Sequence, residues 1–197
     1  MESLAWPADM TPEELRAGIF NLRTRRFGTV CEHLVRVLTG SELSRTLLFD
    51  LYEEVQSLRV EVKFCTALRR AEPIADDGIL SAIRAAACDR AFPFAQWRET
   101  DFDANIQQVK RALFDVLYYG IFFQDRLTIF KIDSTEIRTS EEISVAGGVS
   151  IGYSDKQHRG NKGEGQFHIS QRSLGTHLDH FHYRDLSYAQ VLDLFRS

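Results

Sequence analysis

The chain has 197 residues and a mass of 22.6 kDa, with 44% hydrophobic and 26% charged residues. That balance supports one ordinary core, a single domain over residues 1–197, and excludes a disordered tail, a collagen-like fibre or a disulfide-stapled miniprotein. With 24 basic against 28 acidic side chains the net charge is −4, which gives no global pull toward nucleic acid, argues against a DNA-coating protein and leaves room for a local basic surface.

Thr11-Pro12-Glu13-Glu14 predicts a helix start, with Thr11 as N-cap, Pro12 at the first helical position and Glu14 closing a capping box; this helix runs to about Leu22. After the basic stretch Arg23, Arg25 and Arg26, the residues Val30, Leu34, Val37 and Leu38 recur at helical spacing. They predict a second helix over about 27–39 that Gly40 ends and that carries Glu32 and His33. Residues 41–46 read as a loop, Leu47 to Tyr52 as a short apolar strand, and the polar residues from Glu53 to Ser57 as a turn. The next run has Leu58, Val60, Val62 and Phe64 on one face and Arg59, Glu61 and Lys63 on the other, the clearest strand signal in the chain.

Asp76-Asp77 opens an alanine-rich helix over 79–87, residues 92–103 read as a loop, and Ile106 to Lys110 suits either a strand or the entry to a helix. Val116 to Phe123 and Leu127 to Ile132 flank Gln124-Asp125 and read as a hairpin. Residues 144–165 hold six glycines among basic and amide side chains and predict a long mobile loop. Gln166 to Ser170 reads as a short strand, and Ser187 to Gln190 caps a final helix packed through Val191, Leu192 and Phe195. This order predicts an α/β fold with a mixed central sheet flanked by helices.

The chain lacks any apolar run near the roughly 20 residues of a membrane span, and the opening MESLAWPADM lacks the features of a signal peptide, so a cytoplasmic protein without membrane contact is expected. Cys31, Cys65 and Cys88 are far apart and odd in number, and read as small buried thiols.

Asp50 on one short strand and Glu61-Val62-Lys63 on the next are separated by a turn short enough to make them hairpin neighbours. Residues two apart on a strand share a face, so Glu61 and Lys63 project together, and an antiparallel partner brings Asp50 alongside. Paired carboxylates suit a hard divalent cation such as Mg²⁺, and a nearby ammonium can meet phosphate oxygens or the attacking water. That combination is what metal-assisted phosphodiester hydrolysis needs.

Asp50, ten intervening residues and Glu61-Val62-Lys63 on an apolar strand resemble the active-site motif of the PD-(D/E)xK nuclease superfamily, which includes most type II restriction endonucleases; Phe49 stands where the name-giving proline would be. Glu32 resembles the upstream helical glutamate of such enzymes, and the Asn105–Lys110 run, the Val116–Ile132 hairpin and the Gly163–Ile169 run extend the resemblance over roughly residues 27–170. The resemblance implies a restriction-endonuclease-like fold and a Mg²⁺-dependent, sequence-specific endonuclease on double-stranded DNA that leaves 5′-phosphates. Asp50 and Glu61 would be metal ligands, with the Val62 carbonyl and Glu32 as further ones, and Lys63 would be the catalytic cation. It also implies a homodimer on palindromic sites, with small monomeric enzymes similar as well, and a cognate DNA methyltransferase as a functional companion.

Lys156, Gln157, Arg159, Asn161 and Lys162 in the glycine-rich loop, with Gln107, are the candidate DNA-binding residues, because Lys and Arg meet phosphates or guanine and Asn and Gln read adenine. Arg23, Arg25 and Arg26 suit phosphate contact or plain surface decoration. His177, His180 and His182 lie within six positions beside Asp179 without the spacing of a zinc site, and suit a surface or DNA-proximal role or a structural zinc. No Walker-type loop, GxGxxG or G-x-S-x-G elbow occurs, which argues against nucleotide-driven or serine-hydrolase chemistry. Two alternatives remain: a structure- or damage-directed repair nuclease of the same superfamily, and a non-catalytic DNA-binding protein whose acidic strand face is merely solvated.

Overall fold

The computed structural model describes residues 9–71, 78, 87–156 and 162–197. Helix α1 (Pro12–Asn21) starts as its sequence requires: the Thr11 hydroxyl accepts from the Glu14 N–H, and the Glu14 carboxylate accepts from the Thr11 N–H. Helix α2 (Thr24–Thr39) ends at Gly40, whose φ of 73° is left-handed. It begins three residues earlier than expected, so Arg25 and Arg26 lie in its first turn.

Strands β1 (Glu42–Leu43), β2 (Leu51–Glu53) and β3 (Leu58–Thr66) follow. The strand expected over 47–52 is therefore shortened. Hydroxyls compete with the backbone there, since the Thr46 N–H donates to Ser44 Oγ and the Leu48 N–H to Thr46 Oγ1. These bends leave Leu47 and Leu48 exposed. The alanine-rich helix expected over 79–87 lies, Ala87 apart, outside the described residues. Strands β4 (Asp103–Val109), β5 (Val116–Phe122) and β6 (Leu127–Asp133) come next, and β5 pairs with β6 as the expected hairpin.

The region 144–165 is not one loop. Helix α3 (Ser140–Ala146) runs into it, and strands β7 (Ser154–Lys156) and β8 (Lys162–Ser170) form an antiparallel pair within it. Its glycines serve turns and close approaches: at Gly165 a side chain would collide with the ring of Tyr153, whose hydroxyl donates to the Val109 carbonyl. The expected strand 166–170 is thus the second half of β8. Helix α4 (Leu174–Phe181) and strand β9 (His182–Leu186) follow, and helix α5 (Tyr188–Arg196) is capped by Ser187 and Gln190 as expected.

Among the described residues the strands make a mixed six-stranded sheet, β1-β2-β3-β5-β6-β9, and a three-stranded sheet, β4-β8-β7. Within the larger sheet β3 runs antiparallel to β2 and parallel to β5. Period two divides its faces. Val60, Val62, Val116 and Tyr118 pack with Cys31, Leu34 and Val35 of α2 and with α1 and α5. Leu117, Tyr119 and Ile121 face the other way and share a core with Ile106 and Phe167 of the smaller sheet. The observed class is mixed α/β, and no helix among the described residues is long and apolar enough to cross a membrane.

Candidate active site

The β2–β3 register pairs Leu51 with Val60 and Tyr52 with Arg59, so Asp50 stands just beyond the last pair, beside Glu61. Its main-chain N–H donates to the Val60 carbonyl at 3.1 Å, and its carboxylate Oδ2 accepts from the Val62 N–H at 2.8 Å. Asp50 thereby continues the ladder with its side chain, which fixes the carboxylate against β3. Glu61 and Lys63 alternate with Val60 and Val62 and so point away from α2. The three expected side chains come together: Lys63 Nζ lies 2.5 Å from Glu61 Oε1 and 3.5 Å from Asp50 Oδ2, and donates to the Val62 carbonyl at 3.2 Å.

Glu61 is only 8% exposed, which decides its electrostatics. Burial lifts its carboxyl above the ordinary range and Asp50 adds to this, while the Lys63 ammonium and, more weakly, Lys110 pull it down. Burial acts to lower Lys63, but Glu61 and Asp50 outweigh it and keep the ammonium protonated. Glu32 on α2 is raised by its own burial and then by Asp50, with Lys63 opposing, so it shares the field of the cluster. Three carboxylates against one ammonium leave the site with an excess of negative charge.

Two carboxylates and a main-chain carbonyl are hard oxygen donors, which fits a cation of the Mg²⁺ type that retains part of its water shell. Among the described residues no three His, Cys, Asp or Glu side chains gather as a metal cage. Glu32 is therefore a neighbour of the Asp50–Glu61 pair within reach of its charge, without completing a three-carboxylate set.

The remaining expected residues lie as follows. Gln107 is exposed on β4 at a bulge between Ile106 and Val109, where Gln108 takes a φ of 58°. Lys156 is exposed at the end of β7 and pairs in register with Lys162, the first residue of β8. Gln157, Arg159 and Asn161 lie outside the described residues, as does the side chain of Lys162. Two residues past Lys162, Glu164 pairs with Lys110 at 3.0 Å. Since Lys110 is close enough to act on Glu61, this ion pair joins the β7–β8 hairpin to the edge of the site.

His177, His180 and His182 do not form a metal centre among the described residues. His177 is fully buried on α4, its Nδ1 2.8 Å from Tyr119 Oη and its ring stacked on Phe167, and burial lowers its pKa to about 4. It is a core residue and not a surface one. His182 begins β9 and lies 3.5 Å from Asp185. Cys31 is buried and Cys65 half-buried; both are free thiols whose pKa burial raises.

Sequence reasoning missed a cleft of about 540 Å³ at the C-terminal end of β3, floored by Phe27 and Phe64 and rimmed by Arg69, Arg70 and Arg90. Arg69 lies over the Phe92 ring and donates to the Ala91 carbonyl, and Arg70 pairs with Asp101 at 3.4 Å. The only signal available was the Arg69-Arg70 dipeptide six residues beyond Lys63. Compared with protein-family models, curated proteins and solved structures, the chain matches none.

Proposed function

We propose that the chain is a Mg²⁺-dependent endonuclease of the PD-(D/E)xK type that hydrolyses double-stranded DNA at specific sequences and leaves 5′-phosphates. The observation that carries this reading is the convergence of Asp50, Glu61, Lys63 and the Val62 carbonyl on adjacent strands at a half-buried site. A strand bearing Glu61 and Lys63 inside a mixed sheet, with Glu32 on a helix within reach of the cluster's charge, supports this reading.

Asp50, Glu61 and the Val62 carbonyl would hold Mg²⁺, which when bound supplies Lewis acidity and a water of lowered pKa. Lys63 would stabilise the charge that builds on the phosphorus oxygens in the transition state. Arg25 and Arg26 in the first turn of α2 are proposed as phosphate contacts, because positive charge there opposes the helix dipole and does nothing for α2 itself. Lys156, Lys162, Gln107, Gln157, Arg159 and Asn161 are proposed for sequence readout, and a homodimer on palindromic DNA remains the proposed assembly, with a cognate methyltransferase as companion.

Incubation with supercoiled plasmid tests the chemistry. Nicked and linear products carrying 5′-phosphates are expected with Mg²⁺ and absent with EDTA or in the folded Glu61→Gln variant. DNA binding without strand breaks under every condition would favour the non-catalytic reading instead.

A further inference from the structure

We infer that Lys63 is a built-in competitor of the metal: in the DNA-free protein its ammonium holds the oxygen cradle that a divalent cation needs, so the cation enters only as Lys63 leaves. This rests on the reading of the site as a Mg²⁺-dependent phosphodiesterase and adds a regulatory property to it.

A lysine ammonium has three N–H donors and no acceptor. Lys63 Nζ has three oxygen neighbours here, Glu61 Oε1 at 2.5 Å, the Val62 carbonyl at 3.2 Å and Asp50 Oδ2 at 3.5 Å. Its donors are used up on the same three oxygens that form the metal donor set. A monovalent and a divalent cation cannot share that space, and their repulsion at such a separation would be severe in a half-buried site.

The oxygens are less free to move than the amine. Val62 O belongs to the backbone of β3, and Asp50 Oδ2 is tied to the Val62 N–H at 2.8 Å. Lys63 is attached by a flexible four-carbon stem, and its side chain is 23% exposed, so its head can swing toward solvent. Once displaced, the ammonium has its donors available for phosphate oxygens, which links cation entry to the phosphate-binding state of the site. Lys110 provides a charge-matched contrast: it also lowers Glu61, but its ammonium is paired with Glu164 and lies outside the cradle.

The test is calorimetric titration of the DNA-free full chain with Mg²⁺ alone. Lys63→Met is expected to bind on the order of tenfold tighter than wild type, as follows if the ammonium leaves the cradle open in roughly a tenth of the molecules, whereas Lys110→Met stays near wild type. In wild-type protein labelled at the lysine ε-carbons, saturating Mg²⁺ is expected to shift the Lys63 signal, a readout that does not depend on the variant folding. Binding no tighter in folded Lys63→Met than in Lys110→Met, or an unmoved Lys63 signal at saturation, overturns the inference. Asp50→Asn and Glu61→Gln are expected to weaken Mg²⁺ binding; if neither does, the metal reading fails along with the inference, whereas weakened binding with an unmoved Lys63 fails the inference alone.

Discussion

Burial raises the proton affinity of Glu61 while the Lys63 ammonium at 2.5 Å lowers it, so the charge on this carboxylate depends on its neighbour as much as on pH. Because its pKa in the metal-free chain lies above the ordinary carboxylate value, Mg²⁺ binding, which competes with the proton, is expected to weaken on acidification at a higher pH than an exposed glutamate would give, read by calorimetric titration across pH. Lys63→Met, lacking the opposing charge, moves Glu61 further up. Removing Lys63 as Lys63→Ala should lower cleavage by roughly 10²-fold or more, the scale of a lost transition-state donor, with the fold retained by circular dichroism. His177 makes a second residue-scale prediction. Burial holds its folded pKa at about 4, below the ordinary histidine value of 6.5, so the unfolded chain takes up a proton first and stability falls as pH drops from 6.5 toward 4. The loss should reach about 3 kcal/mol, read as a falling urea midpoint, and His177→Phe should flatten that slope while leaving Tyr119 Oη without its partner.

The elements differ in how openly the sequence declared them. The starts of helices α1 and α5 were legible because capping boxes are local chemistry, written within four positions. Strand β3 was legible because one of its faces is polar, so the period of two survives in the sequence. The region 144–165 was not, since β8 is stabilised by pairing with the distant β4, as in Asp103 with Ser170, and β7 by pairing with β8, and glycine there signals close packing as well as loop. Helix α4 was missed for a related reason: His177 is polar in the sequence yet buried among aromatic rings. Asp50, Glu61 and Lys63 were legible because register and alternation alone bring them together, whereas the arginine-rimmed cleft depends on how α2 meets the end of β3. Two substitutions probe these elements. At Gly120 an added Cβ would run into the Phe64 ring that lies across it, so Gly120→Ala should cost about 1–3 kcal/mol in denaturant unfolding. Gln108 holds a left-handed φ of 58° within the β4 bulge, so Gln108→Gly should raise stability by up to about 1 kcal/mol.

At the scale of the whole molecule, two cores meet across the six-stranded sheet. One joins the sheet to α1, α2 and α5; the other joins it to the smaller sheet. Glu61 and Lys63 lie on β3 and Asp50 stands just before β2, with its carboxylate held by the Val62 N–H, so the acidic site sits on a strand that pairs with β2 on one side and with the fully buried β5 on the other. Basic side chains are spread over separate elements: Arg25 and Arg26 on α2, Arg69 and Arg70 beyond β3, and Lys156 on β7. The most direct measurement is digestion of unmethylated phage-sized DNA by the purified protein with Mg²⁺ or with EDTA, beside Lys63→Ala. Discrete Mg²⁺-dependent fragments that the variant fails to produce are predicted; a smear without bands would contradict sequence-specific cleavage, and intact DNA in every lane would contradict the nuclease itself.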